Sequence, residues 1–152
     1  MSGGYQGTAP PGARVRLGVV HSRFNAEICD LLLAAARAEI ERIGAESEFI
    51  AVAGALEIPI ALQWLAQCGR FDALVAIGAV IRGDTHHFEV VANESARGVM
   101  DVALETGIPV ANGILTTDDE AQARARQDKG AEAVRVAHEM AQLKRQLAER
   151  WR

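Results

Sequence analysis

The segment "IRGDTHHFE", residues 81 to 89, follows the apolar run "ALVAIGAV" and precedes a stretch with helical spacing. It gathers a glycine, a hydroxyl and two adjacent histidines in a chain with only 4 histidines. Gly83 allows a ligand to approach the backbone closely, and Thr85 offers a hydroxyl. The first turn of the helix that follows presents unpaired N–H groups, and the three together suit a phosphate. A histidine on such a loop donates to phosphate or moves protons near neutral pH. The same residues also suit a plain turn with a cap and solvated histidines. A metal site fits less well: adjacent histidines point apart, and no third ligand follows at helical spacing.

Three further clusters hold residues able to act on a ligand. In "HSRFN", Phe24 interrupts a polar turn, where its ring either stacks on a planar heterocycle or staples a helix start to the core. In "AGALEIP", Ala55 leaves room against the backbone, while Glu57 precedes a helix start that stabilises a carboxylate. Glu57 then either accepts hydrogen bonds from a polyol or amine, or simply caps the helix. In "NGILTTDDEAQARARQDKG", Arg126 and Lys129 flank a break and could reach an anion on this chain or a neighbour. Solvated surface charge is the plain alternative for both.

The elements that position these clusters follow from periodicity. "RVRLGVV" (14–20) is expected as the first strand, then a helix through "AEICDLLLAAARAEIERI", capped by Asn25 and ended by Gly44. Its apolar stripe is Ile28, Leu32, Ala36, Ile40 and Ile43. "SEFIAVA" (47–53) is strand two, and Pro59 opens a helix reaching about Cys68. "FDALVAIGAV" (71–80) is strand three, apolar almost throughout, as for a parallel strand covered on both faces. A long helix runs from about Phe88 to Glu105, and "IPVANGIL" (108–115) is strand four. "TTDD" caps a short helix, "QDKG" breaks it, and a last helix begins near Ala131. Val136, Met140, Leu143, Leu147 and Trp151 form its expected packing stripe.

Strict strand–helix alternation predicts a doubly wound α/β sandwich with a parallel sheet. Such sheets bind ligands beyond the carboxyl ends of their strands. The four polar clusters all fall at those ends, so they belong to one expected site.

At 152 residues the chain is expected to be one domain, residues 14–152, behind a glycine- and proline-rich segment, 1–13. A net charge of −4 with dispersed basic residues argues against a nucleic-acid surface. No apolar run nears the roughly 18 residues that a membrane span requires, and the start lacks a secretory signal. Cys29 and Cys68 are too few for a disulfide framework; both are expected as buried thiols in a cytoplasmic protein.

The segments "SRFN", "GALEIP", "GAVIRGDTHHFEVVANE" and "NGILTTDDEAQARAR" with "KGAEA" resemble, in order, the signatures of the 6,7-dimethyl-8-ribityllumazine synthase family. The resemblance runs from about Tyr5 onward. It implies a flavodoxin-like three-layer sandwich with a four-stranded parallel sheet and helices on both faces. It also implies a transferase of riboflavin biosynthesis that needs no cofactor and no metal. The reaction condenses 5-amino-6-(D-ribitylamino)uracil with 3,4-dihydroxy-2-butanone 4-phosphate and releases phosphate and water.

Under that resemblance, Phe24 matches the ring that stacks on the pyrimidine. Asn25, Ala55 and Glu57 match the ribityl contacts, with Leu56 also on the substrate side. The backbone at Val80 and Ile81 reads the uracil edge. Gly83, Asp84 and Thr85 match the phosphate loop, and Arg126 and Lys129 its basic partners. His87 matches the catalytic histidine, whereas His86 occupies a variable position. Asn112 stands where many members place an aromatic that closes a neighbouring subunit's pocket. The resemblance further implies self-association as a pentamer or a multiple of pentamers, with sites between subunits. Riboflavin synthase is a candidate partner. "YQGT" becomes a candidate strand on a neighbour's sheet, with Pro10 and Pro11 as the turn back.

Two other classes compete with the enzyme. A non-catalytic flavin- or lumazine-binding protein, or a shell-forming scaffold, could use the same fold but has no need of Phe24, Glu57, His87 and Arg126 together. A flavodoxin-type electron carrier would place a hydroxyl-rich phosphate loop after strand one, where this chain has "HSRFN".

Overall fold

A computed structural model describes residues 13–83 and 85–151. The elements run β1 (Arg16–Ser22), α1 (Ala26–Ile43), β2 (Glu46–Val52), a 3-10 turn (Ala55–Glu57), α2 (Ile58–Gln67), β3 (Ala73–Ile81) and α3 (His87–Thr106). β4 (Val110–Thr117), α4 (Glu120–Ala125) and α5 (Lys129–Arg150) complete the order. The strands form one parallel sheet in the order β2-β1-β3-β4. The expected α/β class, sheet type and strand number are all present. β1 and β3, adjacent in space, leave the sheet toward opposite faces, which opens a crevice beyond their carboxyl ends.

Period-two alternation along β3 divides the core. Val75, Ile77 and Ala79 face α1 and α5, packed with Leu17, Val19, Leu32, Ala36 and Val134. Leu74, Ala76 and Val80 face α2 and α3, packed with Ile58, Leu62, Val99 and Val102. Both faces of β3 are buried, which explains its unbroken apolar sequence.

Strands β1, β3 and β4 begin two residues later than the hydrophobic runs suggest. The leading residues of the first and third are held otherwise. Ahead of β1, Arg14 Nε donates to the Gly44 carbonyl at 2.7 Å, and ahead of β3, Asp72 Oδ2 accepts from Arg16 N at 2.8 Å.

The stripe expected on the last helix is corrected. Val136, Met140, Leu143 and Leu147 are 40–47% exposed, and Trp151 is 70% exposed. α5 instead packs through Gly130, Ala133, Val134, Ala137 and Ala141. The reason is proximity: a Cβ on Gly130 would stand 2.0 Å from the Leu32 carbonyl oxygen. Only a small-residue face lets α5 lie this close to α1, so the bulky stripe turns outward.

Cys68 is also corrected. It caps α2 and is exposed, whereas Cys29 is buried as expected.

One buried ion cluster ties distant parts of the chain. Arg145 of α5 meets Asp72 Oδ2 at 3.1 Å and donates to the carbonyls of Ala13 at 2.7 Å and Arg14 at 3.4 Å. Arg16 completes it, 3.2 Å from Asp72 Oδ1. "YQGT" and its prolines lie outside the described residues, as does all of the 1–13 segment except Ala13.

Candidate active site

The crevice beyond β1, β2 and β3 holds a cleft of about 470 Å³. Phe24 and Asn25 line it from the β1 end, and Ala55, Leu56 and Glu57 from the β2 end. Val80, Ile81, Gly83, Thr85 and His87 line it from the β3 end. These ten expected residues come together although up to 63 positions separate them in sequence.

The β1–α1 turn holds its aromatic outward. Ser22 Oγ accepts from Phe24 N at 3.0 Å, and the Phe24 side chain remains 69% exposed at the cleft. That exposure is unlike a core staple. Asn25 adopts a left-handed backbone, φ 57°, which asparagine tolerates better than most residues. Its side chain does not cap α1, contrary to expectation. Nδ2 donates instead to the Ala79 carbonyl of β3 at 2.8 Å, bracing the turn against the neighbouring strand. Beneath them, burial and then Asp30 push the Cys29 thiol up to about 11. The thiol therefore stays protonated and donates to the Phe24 carbonyl at 3.3 Å.

At the β2 end, the 3-10 turn is closed by Glu57 N donating to Gly54 O at 3.1 Å. The Glu57 side chain makes no cap to α2, so the capping alternative is not realised. It borders the cleft as the only acid among the described lining residues.

At the β3 end, Thr85 Oγ1 accepts from His87 N at 3.3 Å, so its hydroxyl does serve the start of α3. A Cβ at Gly83 would meet no described protein atom within 4 Å, so nothing among the described residues demands a glycine there. The two histidines part company. His87 lines the cleft, whereas the His86 side chain is 87% exposed and lies 3.9 Å from Glu89. Asp84 lies outside the described residues.

Three expected residues do not line this cleft. Arg126 ends α4, and Lys129 opens α5 with Nζ 3.0 Å from Glu132. Asn112 pairs in register with Ala76, five residues back from the Ile81–Thr117 pair at the cleft end. Its Oδ1 accepts from Ile114 N at 2.9 Å.

The cleft also contains Ser22, Ala53, Gly54, Ala79, Phe88 and Val91, which were not singled out. Val91 carries a usable signal, since it stands four residues after His87 and three after Phe88, the spacing of neighbours on one helix face. Among the described residues no three His, Cys, Asp or Glu side chains gather as a metal set. Nor is any described helix long and apolar enough to cross a membrane.

Fold and cleft together define a class: a parallel α/β protein that offers an open aromatic, a carboxylate and a helix-start loop with histidine to one ligand space. Comparison with known proteins makes the class specific. The family model for 6,7-dimethyl-8-ribityllumazine synthase matches residues 14–145. A synthase of that name from Nitrosomonas europaea is 60% identical over 131 residues, covering 84% of this chain and 80% of the relative. One from an Azoarcus species is 52% identical over 136 residues, 87% of each. A third, from Ralstonia pickettii, is 49% identical over 151 residues, 97% of this chain and 91% of its own. The chain belongs to the 6,7-dimethyl-8-ribityllumazine synthase family.

Proposed function

We propose that this chain condenses 5-amino-6-(D-ribitylamino)uracil with 3,4-dihydroxy-2-butanone 4-phosphate to 6,7-dimethyl-8-ribityllumazine, as a transferase of riboflavin biosynthesis. The observation that carries the proposal is the convergence of Phe24, Glu57 and the Gly83–His87 loop on one cleft in a member of this family. A scaffold or passive flavin binder has no use for a histidine and a carboxylate beside the same ligand.

Phe24 stacks on the pyrimidine, and Val80 and Ile81 present backbone groups to its edge. Ala55 and Leu56 shape the wall; Glu57 accepts from ribityl hydroxyls. Asn25, its Nδ2 committed to Ala79, has its oxygen left to do the same. Gly83, Asp84 and Thr85 hold the phosphate at the start of α3, where backbone N–H groups favour an anion.

The amine attacks the ketone, and the carbinolamine loses water to give an imine. Loss of phosphate then requires a proton to leave carbon, after which the ribitylamino nitrogen attacks the remaining carbonyl and loss of a second water closes the ring. His87 supplies the proton for the departing water and removes the one on carbon, both within the reach of one imidazole. Holding two reactants in register provides much of the remaining acceleration.

Arg126, Lys129 and Asn112 stand away from the chain's own cleft, and we assign them to the cleft of an adjacent copy. The exposed apolar stripe of α5 supports self-association, since such surfaces seldom remain open to water. We take the assembly to be a pentamer or a multiple of pentamers. Both cysteines are unpaired, which suits the cytoplasm.

The test is direct. Purified protein mixed with both substrates should yield the lumazine chromophore and one phosphate per turnover. Absence of lumazine with intact, folded protein would refute the assignment.

A further inference from the structure

Arg82 does not line the cleft, yet it joins three elements around it. Its backbone N donates to Thr117 O at 2.9 Å, closing the β3–β4 ladder at its last rung. The side chain therefore departs from a fixed point. Nε donates to Asp118 Oδ1 of the β4–α4 turn at 2.9 Å, and Nη1 lies 3.5 Å from Glu89 Oε2 in the first turn of α3. The guanidinium also covers the Phe88 ring, 4.4 Å from its centroid. Phe88 lines the cleft immediately after His87.

The far side of this network is itself held. Gln122 Oε1 accepts from Asp118 N at 2.8 Å, and Thr117 Oγ1 donates to Asp119 O at 3.0 Å. Arg82 thus spans from a fixed turn to the start of α3, and residues 83–85 lie between its two anchorages. Exposed ion pairs contribute little to stability, and the Arg82, Asp118 and Glu89 side chains are 39–66% exposed. What the network supplies is geometry.

We propose that Arg82 is a positioning residue: through Asp118, Glu89 and Phe88 it fixes the first turn of α3, and hence His87, relative to the phosphate loop. The assignment rests on the proposed reaction. Arg82 acts through these groups and does not itself hold the phosphate, because its guanidinium is already engaged by two carboxylates and a ring.

Steady-state kinetics of Arg82→Gln, Asp118→Ala and the double variant, with each substrate varied in turn, test this. Displacing a reacting group by about 1 Å costs up to roughly a hundredfold. Arg82→Gln should therefore lower kcat about ten- to a hundredfold, with KM for the ribitylaminouracil within about twofold of wild type. The double variant should be no worse than Arg82→Gln. Additive losses, or losses that merely track the folded fraction, would overturn the proposal. So would loss of inorganic-phosphate inhibition in Arg82→Gln with Asp118→Ala fully active, which would make Arg82 a direct ligand.

An activity-free measurement separates this from the function itself. Deuterium exchange at the His87 imidazole, read by mass spectrometry against pH, should shift in Arg82→Gln while that of His138 stays unchanged. An unchanged His87 profile rejects the positioning role even if wild type makes lumazine. A shifted profile with no lumazine from wild type rejects the reaction alone.

Discussion

His86 and His87 are chemically identical neighbours, and only the backbone tells them apart. His87 borders the cleft, and His86 points to solvent beside Glu89. His87→Ala should reduce turnover by about ten- to a thousandfold, the range for one general acid–base group. His86→Ala should stay near wild type. Equal losses in single-turnover assays, or the reverse order, would place the proton chemistry elsewhere. The sequence made this pair visible because a loop residue among so few histidines stands out. It could not show that the Asn25 side chain abandons its helix for Ala79, since that choice depends on β3 lying beside β1.

At the scale of elements, α5 and α1 meet where Gly130 lies against Leu32. Gly130→Ala would force a methyl into a backbone carbonyl, so one helix must retreat. Overpacking of this kind costs about 1–3 kcal/mol, and urea titration should show that loss with an unchanged m-value. A Gly130→Ala protein of full stability would mean that the helices are freer than their packing indicates. The same contact explains what the sequence could and could not disclose. Alternation on β3 and the stripe of α1 each had one solution. α5 carries two stripes, one of small residues and one of large, and hydrophobicity alone favours the large one. Distance to α1 decides for the small.

Across the whole molecule, acid should act in two stages. Burial lowers the pKa of His21, with Arg37 adding to the effect, and burial then Arg145 lower that of His138. Protonation therefore favours the unfolded chain, and stability should begin to fall below about pH 6.5, the ordinary histidine value. Asp72 gives the second stage. Burial alone would raise its pKa, but hydrogen bonds from Arg16 and the charges of Arg16 and Arg145 outweigh it and leave it lowered. Its contribution is present above about pH 4 and lost as pH falls through the depressed value. Asp72→Asn strands Arg145 in the interior and should cost about 3–5 kcal/mol at neutral pH. It should also reduce the second stage in a plot of denaturation midpoint against pH, leaving the part owed to Glu39, whose pKa Arg42 lowers. An undiminished second stage would assign it wholly to other carboxylates.

Cooperation between copies is testable at this scale too. His87→Ala and Arg126→Ala proteins, unfolded together and reassembled, should regain activity if Arg126 serves a neighbour's cleft. Random mixing makes about a quarter of the sites intact in both residues, given a head-to-tail interface. Recovery no greater than the sum of the separate variants would return Arg126 to its own chain.

The Arg145 cluster bears on the order in which the protein is made. Its guanidinium binds carbonyls 131 and 132 positions earlier, at the entrance to β1, and α5 covers the outer side of β3 and β4. A ribosome delivers β1 first and α5 last among the described elements. Until α5 emerges, Asp72 lacks one cation and the face carrying Val75, Ile77 and Ala111 is covered by α1 alone. A chain cut before residue 145 therefore lacks both the α5 side of this cover and the cation that ties Asp72 to the entrance of β1, and it should be more readily proteolysed than the full chain.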